Sequence, residues 1–190
     1  MLERLPAFHR ARRINAVIET PRGSRNKFTF DAESGTFRLG KQLPAGAVFP
    51  FDFGFVPSTL AEDGDPLDVL MLLETATFPG CVVRGRVVGV IDGQQTGRSG
   101  TTTANPRLIA VATKSTEYAA VRRLRELPQA LIDEITHFFV SYNAATGKNY
   151  RPTGAFGPRK ATAMIEAGIR RRQNATARRR KRRRALRRVA

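Results

Sequence analysis

Asp63, Asp65 and Asp68 stand within six residues of one another, in the segment EDGDPLD at 62–68. Gly64 tolerates positive φ and Pro66 fixes its own, so together they hold the segment in a tight turn. Val69 to Leu73 follow as five apolar residues, the pattern of a buried strand. Carboxylates converging at a strand entrance repel one another unless cations lie between them. Hard oxygen donors packed this way suit Mg²⁺, with Mn²⁺ the other ion of that kind. An EF-hand is excluded, although Glu74 falls at the twelfth position counted from Asp63. The glycine such a loop needs at its sixth position is Asp68, and Leu67 sits where a ligand is required. Taken alone, the aspartates fit either a metal site or a solvated turn.

The surrounding residues extend the reading. FGFVPSTL at 53–60 precedes DGDPLDVL at 63–70, and the pair closely resembles the signature of the soluble family I inorganic pyrophosphatases. AVIET at 16–20, NKF at 26–28, VVGV at 87–90, RLIAV at 107–111, LP at 127–128 and HFFVSY at 137–142 recur in that family's order. The resemblance covers roughly residues 14–150.

The chemistry it implies is hydrolysis of inorganic pyrophosphate to two phosphates. Such a reaction needs a water made nucleophilic at neutral pH and positive charge around an anionic substrate. Two divalent ions ~3.5–4 Å apart supply both. By resemblance, Asp63, Asp65 and Asp68 are metal ligands, with Asp68 bridging, and Asp65 is also the general base on the metal-bridging water. Glu19 matches an inner carboxylate that shapes the metal–water network. Lys27 matches the substrate lysine, Lys41 stands where the family has arginine, and Arg107 where it often has lysine. A lysine at position 41 replaces a two-pronged fork by a point charge. Tyr142 matches a tyrosine whose hydroxyl reaches the leaving phosphate, and it could equally be core packing beside Phe138 and Phe139. His9 and His137 have no triad or metal spacing around them.

The departures are equally specific. Thr29 stands where a glutamate is usual, Phe49 and Phe53 replace tyrosines, and Asn143 replaces the lysine after Tyr142. Gln95 and Asn105 fall near the expected places of two metal-binding aspartates, and Asp92 is the nearest acid that could compensate. A second reading follows from these losses: a catalytically weak barrel kept as a nucleic-acid- or polyphosphate-binding module. A DxD-type nucleotide-sugar transferase is disfavoured by the lack of a nucleotide-binding α/β pattern.

The elements that must position these residues read as mainly β. Ala16–Thr20, Lys27–Asp31, Thr36–Leu39, Leu67–Leu73, Val82–Ile91 and Arg107–Thr113 are strand-like. Gly93 to Asn105 reads as a flexible polar loop. Pro128 to about Ala145 carries apolar residues at helical spacing, and a second helix starts near Pro158 and runs past Ile169 into the arginines. Short strands followed by two helices suggest a closed β-barrel with helices outside. The resemblance implies the same: an OB-like five-stranded β-barrel with two C-terminal helices beside its mouth.

A chain of 190 residues with 41% hydrophobic content fits one domain. It has no apolar run of membrane-spanning length and no signal-peptide pattern. Cys81 is the single cysteine, so no disulfide framework forms, and a cytoplasmic setting is expected. Net charge is +17, but from Arg170 to Ala190 there are twelve Lys or Arg and no acid. The remainder is only about +5 (21 basic residues against 16 acidic). Residues 1–169 are therefore expected to form the domain, and 170–190 a disordered basic tail of the kind that often contacts polyanions, nucleic acid among them. The resemblance further implies a homo-oligomer, a hexamer for so short a chain.

Overall fold

The structure is a computed structural model and describes residues 2–10 and 13–186, the side chains of Arg180 and residues 182–186 excepted. Its strands are β1 (Phe8–Arg10), β2 (Arg13–Thr20), β3 (Asn26–Asp31), β4 (Thr36–Gln42), β5 (Asp52–Val56), β6 (Leu67–Leu72), β7 (Val82–Thr96), β8 (Thr102–Ala104), β9 (Arg107–Ala112) and β10 (Asn149–Phe156). Its helices are α1 (Gln129–Ala144) and α2 (Pro158–Leu186). Single 3₁₀ turns lie at Leu2–Arg4 and Leu124–Glu126.

Five strands close on themselves. β2 pairs with β5, β5 with β6, β6 with β9, β9 with β7, and β7 returns to β2. Only the β6–β9 pair in this ring is parallel. Closure leaves no free edge among these five strands, which is what a mainly β chain of short strands needs. β3 and β4 form a separate hairpin, β10 and β8 extend β7, and β1 extends β2. The five-stranded closure and the two later helices are as the sequence implied.

Alternation along the strands splits the core in two, because successive side chains leave opposite faces. Val69 and Met71 of β6, with Leu108 and Ala110 of β9, pack with Ala161 and Ile165 of α2. Leu70, Leu72, Ile109 and Val111 pack instead with Ile132, Ile135 and Phe139 of α1. The strands are apolar on both faces because each face has a cover, which is why β6 and β9 read as unbroken apolar runs.

Two expectations are corrected. Gly93–Asn105 is no structureless loop: β7 runs on to Thr96, turns, and β8 pairs back onto it through Gln94–Thr96. Thr96, Thr102 and Thr103 are β-branched, and the hairpin gives their backbone groups partners. β5 and β10 were not foreseen. β10 holds Pro152 and Gly154, whose register shift against β7 marks a bulge, a pattern that hides a strand from periodicity. The second helix runs past Ile169 into the arginines, as expected, and continues as far as Leu186; residues 187–190 of the expected tail lie outside the described residues. A helix already nucleated on packed residues extends at low cost through Arg, Lys, Gln and Ala, all good helix formers.

Gly54 is the tightest point of the ring. It faces Ile18 on β2 and Val69 on β6, and a Cβ there would lie 1.9 Å from the Val17 carbonyl oxygen, which is backbone and cannot yield. Gly54→Ala should therefore force β2 and β5 apart, costing about 3 kcal/mol. Urea unfolding would show this as a lower midpoint at unchanged slope, and a wild-type midpoint would contradict it.

Candidate active site

All the residues singled out for chemistry line one cleft of about 640 Å³: Glu19, Lys27, Lys41, Asp63, Asp65, Asp68, Arg107 and Tyr142. They come from six elements and the turn before β6, which holds Asp63 and Asp65. Glu19 is near the end of β2, Lys27 on β3, Lys41 on β4, Asp68 on β6, Arg107 on β9 and Tyr142 on α1.

Asp68 and Arg107 meet because of the parallel pairing. Val69 lies opposite Leu108, so the residues before them, Asp68 and Arg107, come side by side near the starts of β6 and β9, and Arg107 Nη1 forms an ion pair with the Asp68 carboxylate. Arg107 is only 4% exposed, stacked 4.8 Å over the Phe139 ring, and its Nε has no hydrogen-bond partner among the described residues. A buried donor without a partner costs free energy that a bound oxygen anion can recover.

The turn holding Asp63 and Asp65 is fastened at both ends. Thr59 Oγ1 donates to Val56 O (2.6 Å) and accepts from Leu67 N–H (3.0 Å). Ala61 N–H donates to Asp65 O (2.7 Å), and Asp65 N–H to Asp63 Oδ1 (3.2 Å). Partial removal from water pushes the Asp65 carboxyl up, and the charges of Asp63 and Glu19 push it further, with Lys148 and Lys27 opposing. Glu19 is engaged on both oxygens: Oε2 accepts from Lys27 Nζ (2.7 Å) and Oε1 from Phe30 N–H (2.7 Å). Lys27 also donates to Phe28 O (2.7 Å) and lies 4.7 Å above the Phe53 ring; burial pushes its ammonium pKa down while Glu19 holds it up.

The expected convergence of carboxylates is looser than the sequence reading had it. Among the described residues no three His, Cys, Asp or Glu side chains gather about one point. Asp68 turns to Arg107, since like charges spread and take the counter-charge the chain offers. The donor set still fits a divalent cation. Asp63 and Asp65 have no ion-pair partner among the described residues, which leaves their oxygens available to a cation.

On the cationic side, Lys41 Nζ lies 3.7 Å over the Tyr142 ring, and Tyr142 packs against Phe49 and Phe138. Tyr142 is thus both core and cleft wall. Burial pushes its hydroxyl to about 12, so it stays protonated and able to donate. Lys41 is pushed down to about 8, by burial first and then by Lys148, Lys27 and Arg107.

The departures also have places. Gln95 and Asn105 both face the cleft and bond to each other, Asn105 Nδ2 donating to Gln95 Oε1 (3.1 Å). An amide pair stands where the resemblance has carboxylates. Asp92 does not compensate: its two oxygens accept from Lys160 Nζ (2.6 Å) and Gly93 N–H (3.1 Å), away from the cleft. Asn143 is 2% exposed and its Nδ2 donates to Phe139 O, so it cannot replace a substrate lysine even though it borders the cleft. Thr29 lines the cleft, as does Phe53, whereas Phe49 is buried behind it. His9 and His137 are exposed and outside it.

Two cleft residues were missed from sequence. Lys148 enters where the chain reverses after α1, its N–H donating to Asn143 O (3.1 Å), and Arg172 reaches the cleft from α2. The lysine missing at 143 was a signal to search the next few positions; Arg172 gave none, because it sits inside the arginine run.

Residues 16–173 match the family profile described as inorganic pyrophosphatase. The chain is 39% identical over 155 residues to an inorganic pyrophosphatase of Halalkalibacterium halodurans, covering 80% of this chain and 90% of that one. It is 38% identical over 141 residues to one from Synechocystis, covering 74% and 80%. The crystal structure of inorganic pyrophosphatase from Thermus thermophilus superposes with a TM-score of 0.83 at 35% identity, covering 90% of this chain and 98% of that one.

Lys41 yields a pH prediction. Its folded pKa of about 8 lies below the ordinary lysine value of 10.5, so the folded chain releases this proton first and stability rises with pH between those values. Lys148→Ala removes the like charge that acts most strongly on Lys41 and should move the Lys41 midpoint upward. NMR titration of labelled lysine would read it directly; a Lys41 midpoint that Lys148→Ala leaves in place would refute the coupling.

Proposed function

The chain belongs to the inorganic pyrophosphatase family, and from that premise we propose that it hydrolyses inorganic pyrophosphate to two phosphates. What carries the reading is the meeting, in one cleft, of Asp63, Asp65, Asp68 and Glu19 with Lys27, Lys41, Arg107 and Tyr142. Carboxylates and cations in roughly equal number suit a small, highly charged anion that arrives with counter-ions.

Water attacks one phosphorus, the bond from that phosphorus to the bridging oxygen breaks, and the second phosphate leaves with the electron pair. Asp65 takes the proton from the attacking water. Its raised carboxyl pKa brings it nearer the operating pH, which favours a general base. Lys27, held by Glu19, and Arg107, held by Asp68, present fixed positive charge to the phosphate oxygens. Lys41 carries no carboxylate partner among the described residues, so its charge is available to the substrate. Tyr142 donates its hydroxyl proton in a hydrogen bond to leaving phosphate. Two divalent cations, Mg²⁺ or Mn²⁺, held through Asp63, Asp65 and Asp68, would lower the pKa of the attacking water and offset phosphate charge.

The protein is proposed to work in the cytoplasm as a homo-oligomer, a hexamer by the family resemblance. Its single cysteine is free, no described helix is long and apolar enough to cross a membrane, and Phe78 and Leu39 are exposed apolar side chains.

Purified protein should release phosphate from pyrophosphate only when a divalent cation is added. Asp65→Asn keeps the shape but cannot accept the proton, and should slow turnover ~10²–10⁴-fold. Equal rates for wild type and variant would remove Asp65 from the mechanism, and no metal-dependent release at all would remove the activity.

A further inference from the structure

The arginine-rich end of α2 has no part in the chemistry of the cleft. The helix is fixed to the body by its first turns: Ala161 and Ile165 are buried, and Leu60 N–H donates to Gly168 O (3.0 Å). Arg171 donates to Leu60 O (2.9 Å) and faces Glu62 (3.9 Å). Arg172 still lines the cleft, but Gln173 to Arg179 and Lys181 are all exposed. The cationic segment therefore leaves the rim of the cleft as helix, in a direction set by the packed turns. Residues 173–186 extend it by roughly 21 Å at 1.5 Å per residue.

Its charge is arranged without a face. Arg178 to Arg184 are seven consecutive cations, and at 3.6 residues per turn those positions circle the whole helix. No acid lies between Ala167 and Ala190 to offset them. Like charges one turn apart oppose the helix, so a polyanion that threads among them stabilises it.

The kind of polyanion follows from what the helix lacks. Ala175, Ala177, Ala185 and Leu186 are the only apolar residues from 173 to 186, too few and too small for the apolar stripe by which interfacial helices hold to lipid. A flat anionic surface would also meet only one side of the charge. A groove with phosphates on both rims meets most of it. The DNA major groove is about 12 Å wide, and a helix with its side chains about 10–12 Å across. We propose that the distal half of α2 docks double-stranded nucleic acid, contacting phosphates and reading no sequence.

The test uses the full chain and a short labelled DNA duplex of arbitrary sequence, followed by fluorescence anisotropy. With seven phosphates neutralised, the log–log salt slope should be about −6, and affinity should fall ~10³-fold or more between about 50 and 200 mM salt. Replacing Arg178 to Arg184 together by glutamine keeps helix propensity. That variant should lose duplex binding while its circular dichroism and its phosphate release from pyrophosphate match wild type. Duplex binding that survives the replacement, or that is insensitive to salt, overturns the proposal. So does absence of binding by wild type, or preference for phosphatidylserine vesicles over the duplex. The duplex assay does not depend on turnover, so a chain inactive on pyrophosphate would sink the catalytic reading and leave this one standing.

Discussion

A guanidinium held almost wholly out of water is the constraint around which the cleft is built. Arg107 begins β9 beside Asp68, the second residue of β6, and the only parallel pairing of the closed ring brings them together. Burying such a pair gains little by itself, because desolvation offsets most of the attraction. Its worth lies elsewhere. The pair fixes one cation under the cleft and leaves its Nε without a partner among the described residues. Lys27 repeats the arrangement with Glu19, so two cations are held rigidly by carboxylates from neighbouring strands. Lys41 and Lys148 line the same cleft, and Lys41 is pushed down to about 8 by burial first and by the neighbouring cations second.

Much of this was legible in the sequence because it was local. The turn through Gly64 and Pro66, the apolar run of β6 and the start of α2 at Pro158 are set by residues close along the chain. What was not legible depended on distant partners. β5 is a short Phe-Gly-Phe strand whose existence rests on pairing with both β2 and β6, and β10 is broken by a proline and a glycine that its bulge accommodates. The site followed the same division. The aspartates announced themselves through spacing, whereas Lys148 reaches the cleft only because α1 ends and the chain reverses, and Asp92 was claimed by Lys160, 68 residues away. The three aspartates share the cleft but spread within it, because Asp68 takes Arg107 as its counter-charge.

The substitutions in the site are consistent with one another. Gln95 and Asn105 satisfy each other as amides, so the missing carboxylates leave a hydrogen bond rather than an unpaired group. Phe49 and Phe53 keep their rings in the aromatic wall beneath Lys27, Phe138 and Tyr142, giving up a donor and keeping the packing. Carboxylates are missing at 29, 95 and 105 and a lysine at 143, so the net change in the cleft is toward positive charge.

That account stands or falls on whether the cleft takes a diphosphate anion. The direct measurement is the melting temperature of the protein, with Mg²⁺ present, as methylenediphosphonate is added, a carbon-bridged analogue that water cannot cleave. Ligand at a hundredfold excess over its Kd contributes about 2.7 kcal/mol, which for a chain of this size raises the midpoint by roughly 5–10 °C. A rise of that order, with little from sulfate at the same concentration, is the predicted result. An unmoved midpoint, or an equal rise from sulfate, would contradict a cleft built for diphosphate.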